Sequence, residues 1–389
     1  MKPVRVGIIG AGGMGSSHAK ECRASENIDL VALCDASRKR RETLSEQYDL
    51  PVYETAEELF EKARPEAVII ATPHYDHTPI SIAALERGIH VLCEKPVGVH
   101  VQDVERMIDA YNRARSEYPD LRFGAMFQQR TLAAWKKIKS MIDGGELGRL
   151  VRATWIITTW YRTQHYYDSG TWRATWKGEG GGVLLNQCPH NLDLYQWFFG
   201  MPHSILGTAA IGKYHHIEVE DEVTAVFQHG NGMVGHFITT TAESPGTNRL
   251  EIVGENGRLI YNDGTLTFDE NKESMLSFLE TSDKGFAKVR ATTREIDVPA
   301  DQGGPHRTVI EAFVRSVGEG TPLVAEAPEG LGSVALANGI LMSHFSDKRV
   351  SLPLDGKEFA ALLDRLIADS TFEKKSTEPE GNVDLSGSF

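Results

Sequence analysis

The chain has 389 residues, 41% of them hydrophobic and 24% charged, and a formal net charge of −13. That length is too great for one ordinary domain and comfortable for two, and the composition excludes a disordered or fibrous chain. The acidic balance, with no long basic block, excludes a nucleic-acid partner or an anionic membrane surface, and no apolar run reaches the roughly 18 residues of a membrane span. Cys22, Cys34, Cys93 and Cys188 lie far apart with no C-x-x-C pair, the usage of reduced thiols rather than of a disulfide framework or a zinc cage. Met1-Lys2-Pro3 passes straight into the strand-like run 4–9 without a charged leader, so the expected location is the cytoplasm.

Residues 1–125 alternate β-rich runs (4–9, 28–34, 67–71, 89–92, 122–126) with helical stretches around 14–24, 37–47, 56–62, 77–87 and 101–115. Buried strands joined by helices of this length predict a doubly wound parallel α/β sheet. From residue 126 the pattern changes. A helix near 131–143 ends at Gly144-Gly145 and is followed by Thr-, Val- and aromatic-rich runs at 150–161, 205–212, 221–229, 232–241, 249–253 and 258–261. A helix over 182–199 interrupts them, and two more close the chain around 306–318 and 328–346. Residues 126–370 therefore predict an α+β domain with a large, mostly antiparallel open sheet. The polar, aperiodic stretch 371–389 predicts a mobile tail.

Gly10-Ala11-Gly12-Gly13-Met14-Gly15 fits G-x-G-x-x-G, follows the strand 4–9 directly, opens a helix, and precedes Asp35 by 20 residues. Gly10 permits the tight turn, Gly12 lets the backbone approach a pyrophosphate, and Gly15 lets helix and strand pack closely. Gly10, Gly12, Gly13 and Met14 are thus assigned to a dinucleotide, whose phosphate meets free N–H groups at a helix start. Asp35 can accept from both ribose hydroxyls and would repel a 2′-phosphate. Nearby Arg38 could stack on an adenine or tolerate that phosphate, so NAD is expected, with NADP as the alternative.

Cys93-Glu94-Lys95-Pro96 follows the β-rich run 89–92, preceded by Ala71-Thr72-Pro73-His74 and His77. Further on come Gly180-Gly181-Gly182 with His190 and Asp193, then Glu251-Ile252-Val253-Gly254 and Ser351-Leu352-Pro353-Leu354. With the glycine turn, these motifs over residues 4–355 resemble the Gfo/Idh/MocA oxidoreductases, the glucose–fructose oxidoreductase and inositol dehydrogenase family. The resemblance implies a Rossmann domain and a second domain whose open sheet commonly forms the interface of a homodimer or homotetramer. It also implies NAD(P)-dependent oxidation or reduction of a carbohydrate or polyol. On that reading Thr72, Pro73 and His77 brace the nicotinamide pocket, and Glu94 orients Lys95 or touches the nicotinamide ribose. Pro96 is often cis in relatives.

Oxidising an alcohol requires a hydride acceptor and a base for the hydroxyl proton. Lys95 sits past a strand end beside the cofactor crevice, where desolvation and a cationic nicotinamide would draw its pKa down from about 10.4 towards neutrality. It is the expected base, and the acid in reverse. In the predicted helix Asn186, His190 and Asp193 share one face, which places Asn186 and His190 against substrate. Many relatives carry aspartate at position 186. The amide here cannot titrate, so the acid/base work falls to Lys95 and His190.

Residues 155–176 hold Trp155, Trp160, Tyr161, Tyr166, Tyr167, Trp172 and Trp176, interleaved with Arg162, Gln164, His165 and Arg173. Such a stretch is either a sugar platform, with Tyr161 and His165 at the ligand, or an aromatic core or interface. His74-Tyr75-Asp76-His77 and His215-His216 with Glu218, Glu220, Asp221 and Glu222 read as parts of turns rather than metal sites, and no metal is expected. His306 either reaches the substrate pocket or caps its helix. The function expected is dehydrogenation of a ring hydroxyl of a sugar, glycoside or inositol. The competing readings are an NAD-dependent glycosidase that oxidises transiently and eliminates, and a non-catalytic NAD/sugar sensor.

Overall fold

The computed structural model describes residues 2–301 and 304–374. The chain begins β1 (Val4–Ile9), α1 (Gly13–Arg23), β2 (Ile28–Cys34), α2 (Arg38–Tyr48), β3 (Val52–Tyr53) and α3 (Ala56–Ala63). It continues β4 (Ala67–Ile70), α4 (His74–Leu85), β5 (His90–Cys93), α5 (Val101–Ala114) and β6 (Phe123–Ala125). All six strands are parallel, in the order β3-β2-β1-β4-β5-β6. Every residue of β4 is buried, as a strand covered on both faces requires. Helices α1 and α2 cover one face, and α3, α4 and α5 cover the other. The strand order reverses between β1 and β4, and beyond their carboxyl ends opens the crevice in which such sheets take ligands.

Next come α6 (Ala133–Asp143), β7 (Leu150–Ile157), the short helices α7 (Gln164–Asp168) and α8 (Trp176–Glu179), and α9 (Pro189–Phe199). They are followed by β8 (Ser204–Ile211), β9 (Glu220–Gln228), β10 (Val234–Thr240), β11 (Asn248–Gly254), β12 (Gly257–Asn262) and β13 (Thr265–Asn271). The chain then forms α10 (Met275–Thr281), β14 (Ala291–Glu295), α11 (Pro305–Glu319), α12 (Gly330–Ser346), β15 (Val350–Ser351) and α13 (Gly356–Ala368). The second sheet runs β14-β13-β12-β11-β7-β10-β9-β8-β15, antiparallel throughout except for the β7–β10 pair. Its strands alternate buried with partly exposed residues, so one face packs on α6, α9 and α12 while the other stays uncovered.

Two helices cross between the units. Val309, Ile310, Phe313 and Val314 of α11 pack with Val6 and Ile8 of β1, so the chain returns to the first sheet after every strand of the second but β15. In α12, Val334 and Ala335 join the core beneath α5, and Leu336, Ile340 and Leu341 join that of the second sheet. Asn338 of α12 accepts from Val101 N at 3.0 Å and donates to Val99 O at 3.2 Å, pinning it to the start of α5.

The structure corrects several expected elements. The helix expected over 182–199 begins only at Pro189, because proline has no N–H to continue a helix upstream and is suited to a first turn. Residues 182–188 form tight turns instead, with Asn186 N donating to Gly182 O at 3.0 Å and Cys188 N to Val183 O at 2.8 Å. Asn186 therefore does not share a helical face with His190 and Asp193. The strand expected over 150–161 stops at Ile157. The expected tail is anchored at its first residues: Lys374 Nζ donates to Tyr167 O at 2.8 Å and Arg173 O at 2.5 Å, and the Phe372 ring lies 5.0 Å from that of His216. The rest of that tail, 375–389, lies outside the described residues.

Asp193 is spent on a buried clamp. Its two carboxylate oxygens accept from Arg130 at 2.6 and 2.8 Å, and Arg130 also meets Glu329 at 2.6 Å. Both members of the pair are almost wholly buried, which ties the segment after β6 to α9. Removing one partner of such a pair leaves a buried charge uncompensated. Asp193→Ala is accordingly expected to cost about 3–5 kcal/mol in urea unfolding.

Candidate active site

The turn after β1 has the cradle that a dinucleotide needs. Gly10 sits at φ +84°, where a side chain would be strained. A Cβ at residue 15 would come within 2.0 Å of the Gly10 carbonyl oxygen, so only glycine lets α1 start here. No side chain caps α1, and its first N–H groups face the crevice beyond Gly12, against which only the Arg40 guanidinium approaches within 4 Å. Asp35 directly follows β2, with Oδ1 accepting from Ser37 N at 2.9 Å and Oδ2 from Arg40 Nη1 at 3.2 Å. Arg38, named with Asp35 in the sequence, turns outward to Glu42, and Arg40 takes its place. After β4, the Thr72 hydroxyl is buried without a partner and faces the same crevice as the Pro73 cap of α4. An NAD-type dinucleotide fits these residues.

Lys95 follows β5 and enters a cis bond to Pro96. The lysine is half-buried, and its Nζ donates to the backbone oxygen of Asn186 at 2.8 Å. Burial pushes its ammonium below the ordinary 10.5; the Glu94 and Glu179 carboxylates oppose that shift, and Arg173 and Arg162 reinforce it. Glu94 takes a different partner from the one expected. Its Oε1 accepts from His18 Nε2 at 2.7 Å, while Oε2 accepts from the Lys95 N–H at 3.0 Å. Burial favours the neutral acid, yet the His18 hydrogen bond and charge hold the Glu94 carboxyl down at about 2. His77 ties two strand ends together, its ring nitrogens lying 2.8 Å from Pro96 O and 2.9 Å from Thr72 O. The His306 ring lies 5.6 Å from that of His18, so the start of α11 looks onto the same cluster.

His190 is buried, with Nε2 at 3.0 Å from the Gln128 amide nitrogen. Burial first, then the Lys95 charge, push its pKa well below 6.5, so the ring is neutral. An amide donor at Nε2 leaves the ring proton on Nδ1, which is buried and has no hydrogen-bond partner among the described residues. Asn186 sits in the turn before α9. Its Nδ2 donates to Glu179 Oε1, and its Oδ1 accepts from the Tyr166 hydroxyl at 3.2 Å. That hydroxyl in turn accepts from Arg173 Nη1 at 2.7 Å, and the guanidinium lies 4.7 Å over the Tyr166 ring and 4.6 Å over Trp172. Trp172 stands edge-on to His74 at 5.2 Å.

Lys95, Asn186, His190, Glu94 and His77 thus gather around one crevice, while Tyr161 and His165 are exposed and make no contact with this network. Trp155, Tyr167 and Trp176 of the aromatic stretch are buried in the core of the second sheet, while Tyr166, Trp172 and Arg173 are partly buried beside Asn186 and His74. His215 is occupied by Asp221 Oδ2 at 3.1 Å and Arg162 O at 2.9 Å, in keeping with a turn. Sequence reasoning did not single out His18, Gln128 or Glu179, and it read Glu220 only as part of a polar connection into the strand at 223, whereas β9 already begins at Glu220. His18 had a signal, one helical turn past Gly15, and Glu179 had another as the acid directly before the glycine run. Glu220 is wholly buried on β9, with Oε1 accepting from Gly182 N at 2.8 Å and Leu184 N at 3.0 Å, so it shapes the turn that carries Asn186.

Comparison with known proteins identifies the family. A family model described as an oxidoreductase family with an NAD-binding Rossmann fold matches residues 4–118, and the GFO/IDH/MocA C-terminal domain matches residues 135–260. The myo-inositol 2-dehydrogenase of Thermotoga maritima is 25% identical over 66% of this chain and 74% of its own. The inositol 2-dehydrogenase of Rhizobium meliloti is 23% identical over 90% of this chain and 99% of its own. Among solved structures, the WlbA dehydrogenase of Bordetella pertussis, in complex with NADH and UDP-GlcNAcA, superposes with a TM-score of 0.75 at 23% identity, covering 91% of this chain and all of that one. The chain belongs to the Gfo/Idh/MocA oxidoreductases and is an NAD-binding oxidoreductase.

Burial pushes the Glu220 carboxyl up to about 7 from 4.5, against the two N–H groups that favour its charge. The folded chain therefore holds this proton more tightly than the unfolded chain. The stabilisation is complete below about 4.5 and is lost as pH rises through about 7. Glu220→Gln cannot ionise, so its stability relative to wild type should improve across that window by about 3 kcal/mol. Thermal unfolding of both proteins at a series of pH values measures it, and parallel curves would count against a titrating Glu220.

Proposed function

We propose that this member of the Gfo/Idh/MocA oxidoreductases is an NAD-dependent dehydrogenase or reductase acting on a ring hydroxyl or ketone of a sugar, glycoside or inositol. The carrying observation is the lysine at the crevice, its Nζ bonded to Asn186 O at 2.8 Å beside a buried neutral histidine. The inositol dehydrogenases among its relatives support a cyclic polyol substrate. Cofactor is held by residues 1–125, with Gly10, Gly12, Gly13, Met14, Asp35, Thr72, Pro73, His77 and Glu94 along the crevice and Arg40 doing what the sequence suggested for Arg38. Substrate is held by the domain over 126–370. The uncovered face of its sheet is where a second copy would pack.

Bound NAD supplies the hydride acceptor, and the protein supplies everything that moves the proton. One N–H of Lys95 is committed to Asn186 O. The lone pair of the neutral amine then faces the substrate hydroxyl and takes its proton, and burial keeps that neutral form accessible. His190 presents its Nδ1–H to the same oxygen, orienting the carbinol for transfer; in reduction Lys95 returns the proton. Asn186, Tyr166 and Arg173 offer the amide, hydroxyl and guanidinium that a polyol's remaining hydroxyls recognise, and Trp172 offers an apolar ring for the sugar's C–H face. A screen of sugars and inositols with NAD⁺, followed at the NADH absorbance, tests this reading. Product without net NADH would mark redox-assisted glycoside cleavage instead.

Lys95→Met keeps the stem and removes the proton acceptor, so kcat should fall about 10²–10⁴-fold with NAD affinity within a few-fold of wild type. Turnover and cofactor titration on one preparation decide it, and near-normal turnover would leave His190 as the base. Asp35→Ser should weaken NADH binding and improve that of NADPH, since Arg40, released from its carboxylate, can meet a 2′-phosphate. A wild type that prefers NADPH by tenfold, about 1.4 kcal/mol, would overturn that role for Asp35.

A further inference from the structure

Glu179 is a carboxylate that the mechanism above does not use. It closes α8, is almost completely buried, and has one polar partner on each oxygen: the Asn186 amide on Oε1, and Ala174 N at 2.6 Å on Oε2. Both partners are N–H donors, and each carboxylate oxygen accepts one of them. Asn186 is the residue whose backbone oxygen holds Lys95, and His74, on the neighbouring α4, meets the Glu179 backbone oxygen at 3.1 Å. The glutamate therefore grips both the side chain that faces Tyr166 and the turn that seats the lysine.

We propose that Glu179 is a positioning residue of the active site, its carboxylate fixing the Asn186 amide with Oδ1 towards Tyr166 and standing as a buried counter-charge to the Lys95 ammonium. The inference rests on the proposed reaction, in which Lys95 exchanges the proton.

The electrostatics of the pocket fit this role. Glu94 at the end of β5 and Glu179 at the end of α8 favour the charged lysine; Arg162 and Arg173 from the aromatic stretch oppose it. His74 from α4, His190 from α9 and His306 from α11 also face Lys95, and burial keeps all three neutral. Glu94 is already engaged by His18, which leaves Glu179 as the second carboxylate acting on the ammonium. Burial raises the Glu179 carboxyl, and Arg173, the Asn186 amide and the Ala174 N–H work against that rise. Removing its charge should make Lys95 release its proton more readily.

The test reads Lys95 directly and needs no substrate. The intact chain is labelled with acetic anhydride across a pH series, and acetylation of the peptide carrying Lys95 is followed by mass spectrometry. In Glu179→Gln the labelling midpoint should fall by about one pH unit, as loss of a charge facing Lys95 in a partly buried site implies. In Glu179→Asp, which keeps the charge on a shorter arm, the midpoint should stay near wild type. With myo-inositol and NAD⁺ the Asp variant should show a raised KM, because Asn186 is released. An unchanged midpoint in the Gln variant overturns the inference. If that variant does not fold, the Asp variant decides alone: a midpoint held in place supports Glu179, and a fall of the size expected for lost charge overturns it. Failure of the proposed reaction reads differently, as normal turnover by Lys95→Met with the labelling shifts intact.

Discussion

A single hydrogen bond, from Lys95 Nζ to the backbone oxygen of Asn186, joins the end of the first sheet to the turn before α9, and much of the site is arranged around it. An ammonium drawn out of water needs a partner that does not neutralise it, and a peptide carbonyl is such a partner. The carbonyl must then be held in place. Glu220 does this from β9 by bonding two N–H groups of the turn, and Pro189 starts α9 at the next opportunity. The Arg130–Asp193 clamp fixes α9 from the other side and with it the depth of His190.

The same crevice drives neighbouring groups to opposite protonation states. Glu94 is held ionised by His18, while burial holds His190, His74 and His306 neutral. Lys95 lies between these, with its proton affinity lowered by burial and partly restored by carboxylates. Environments that push adjacent titratable groups apart in this way mark which can carry charge and which can exchange a proton.

Much of this was legible in the sequence where a local rule governs. The β-rich runs 4–9, 28–34, 67–71, 89–92 and 122–126 of the first sheet, the glycine turn and its distance to Asp35 depend on a few consecutive residues, and each of those runs forms a strand; only the two-residue β3 gave no such run. Legibility fell where the partner lies far along the chain. Asn186 was set on a helical face by spacing, but Pro189 and the distant Glu220 decide that it lies in a turn. Arg40 rather than Arg38 reaches Asp35 because the α2 cap places its first residues outward. Tyr161 and Tyr166 are indistinguishable by composition, and only the fold turns one out and the other in. β14, wholly exposed at a sheet edge, has no apolar face to betray it. In α13 the spacing of Phe359, Leu362 and Leu363 was a helical signal that the reading along the chain passed over.

The return of α11 to the first sheet has a consequence for how the protein is made. Ribosomes deliver the chain from its N-terminus, so the β-strands of the cofactor unit emerge early, with α1 and α2 already available. Val309, Ile310, Phe313 and Val314, which complete the core over Val6 and Ile8, emerge only about 190 residues after β6, on the order of 10–40 s later at ordinary elongation rates. Throughout that interval one side of the nascent sheet presents oily surface to water or to a chaperone. The two halves of this enzyme thus mature as nested rather than successive units, the first being sealed only after every strand of the second sheet but β15 has been translated.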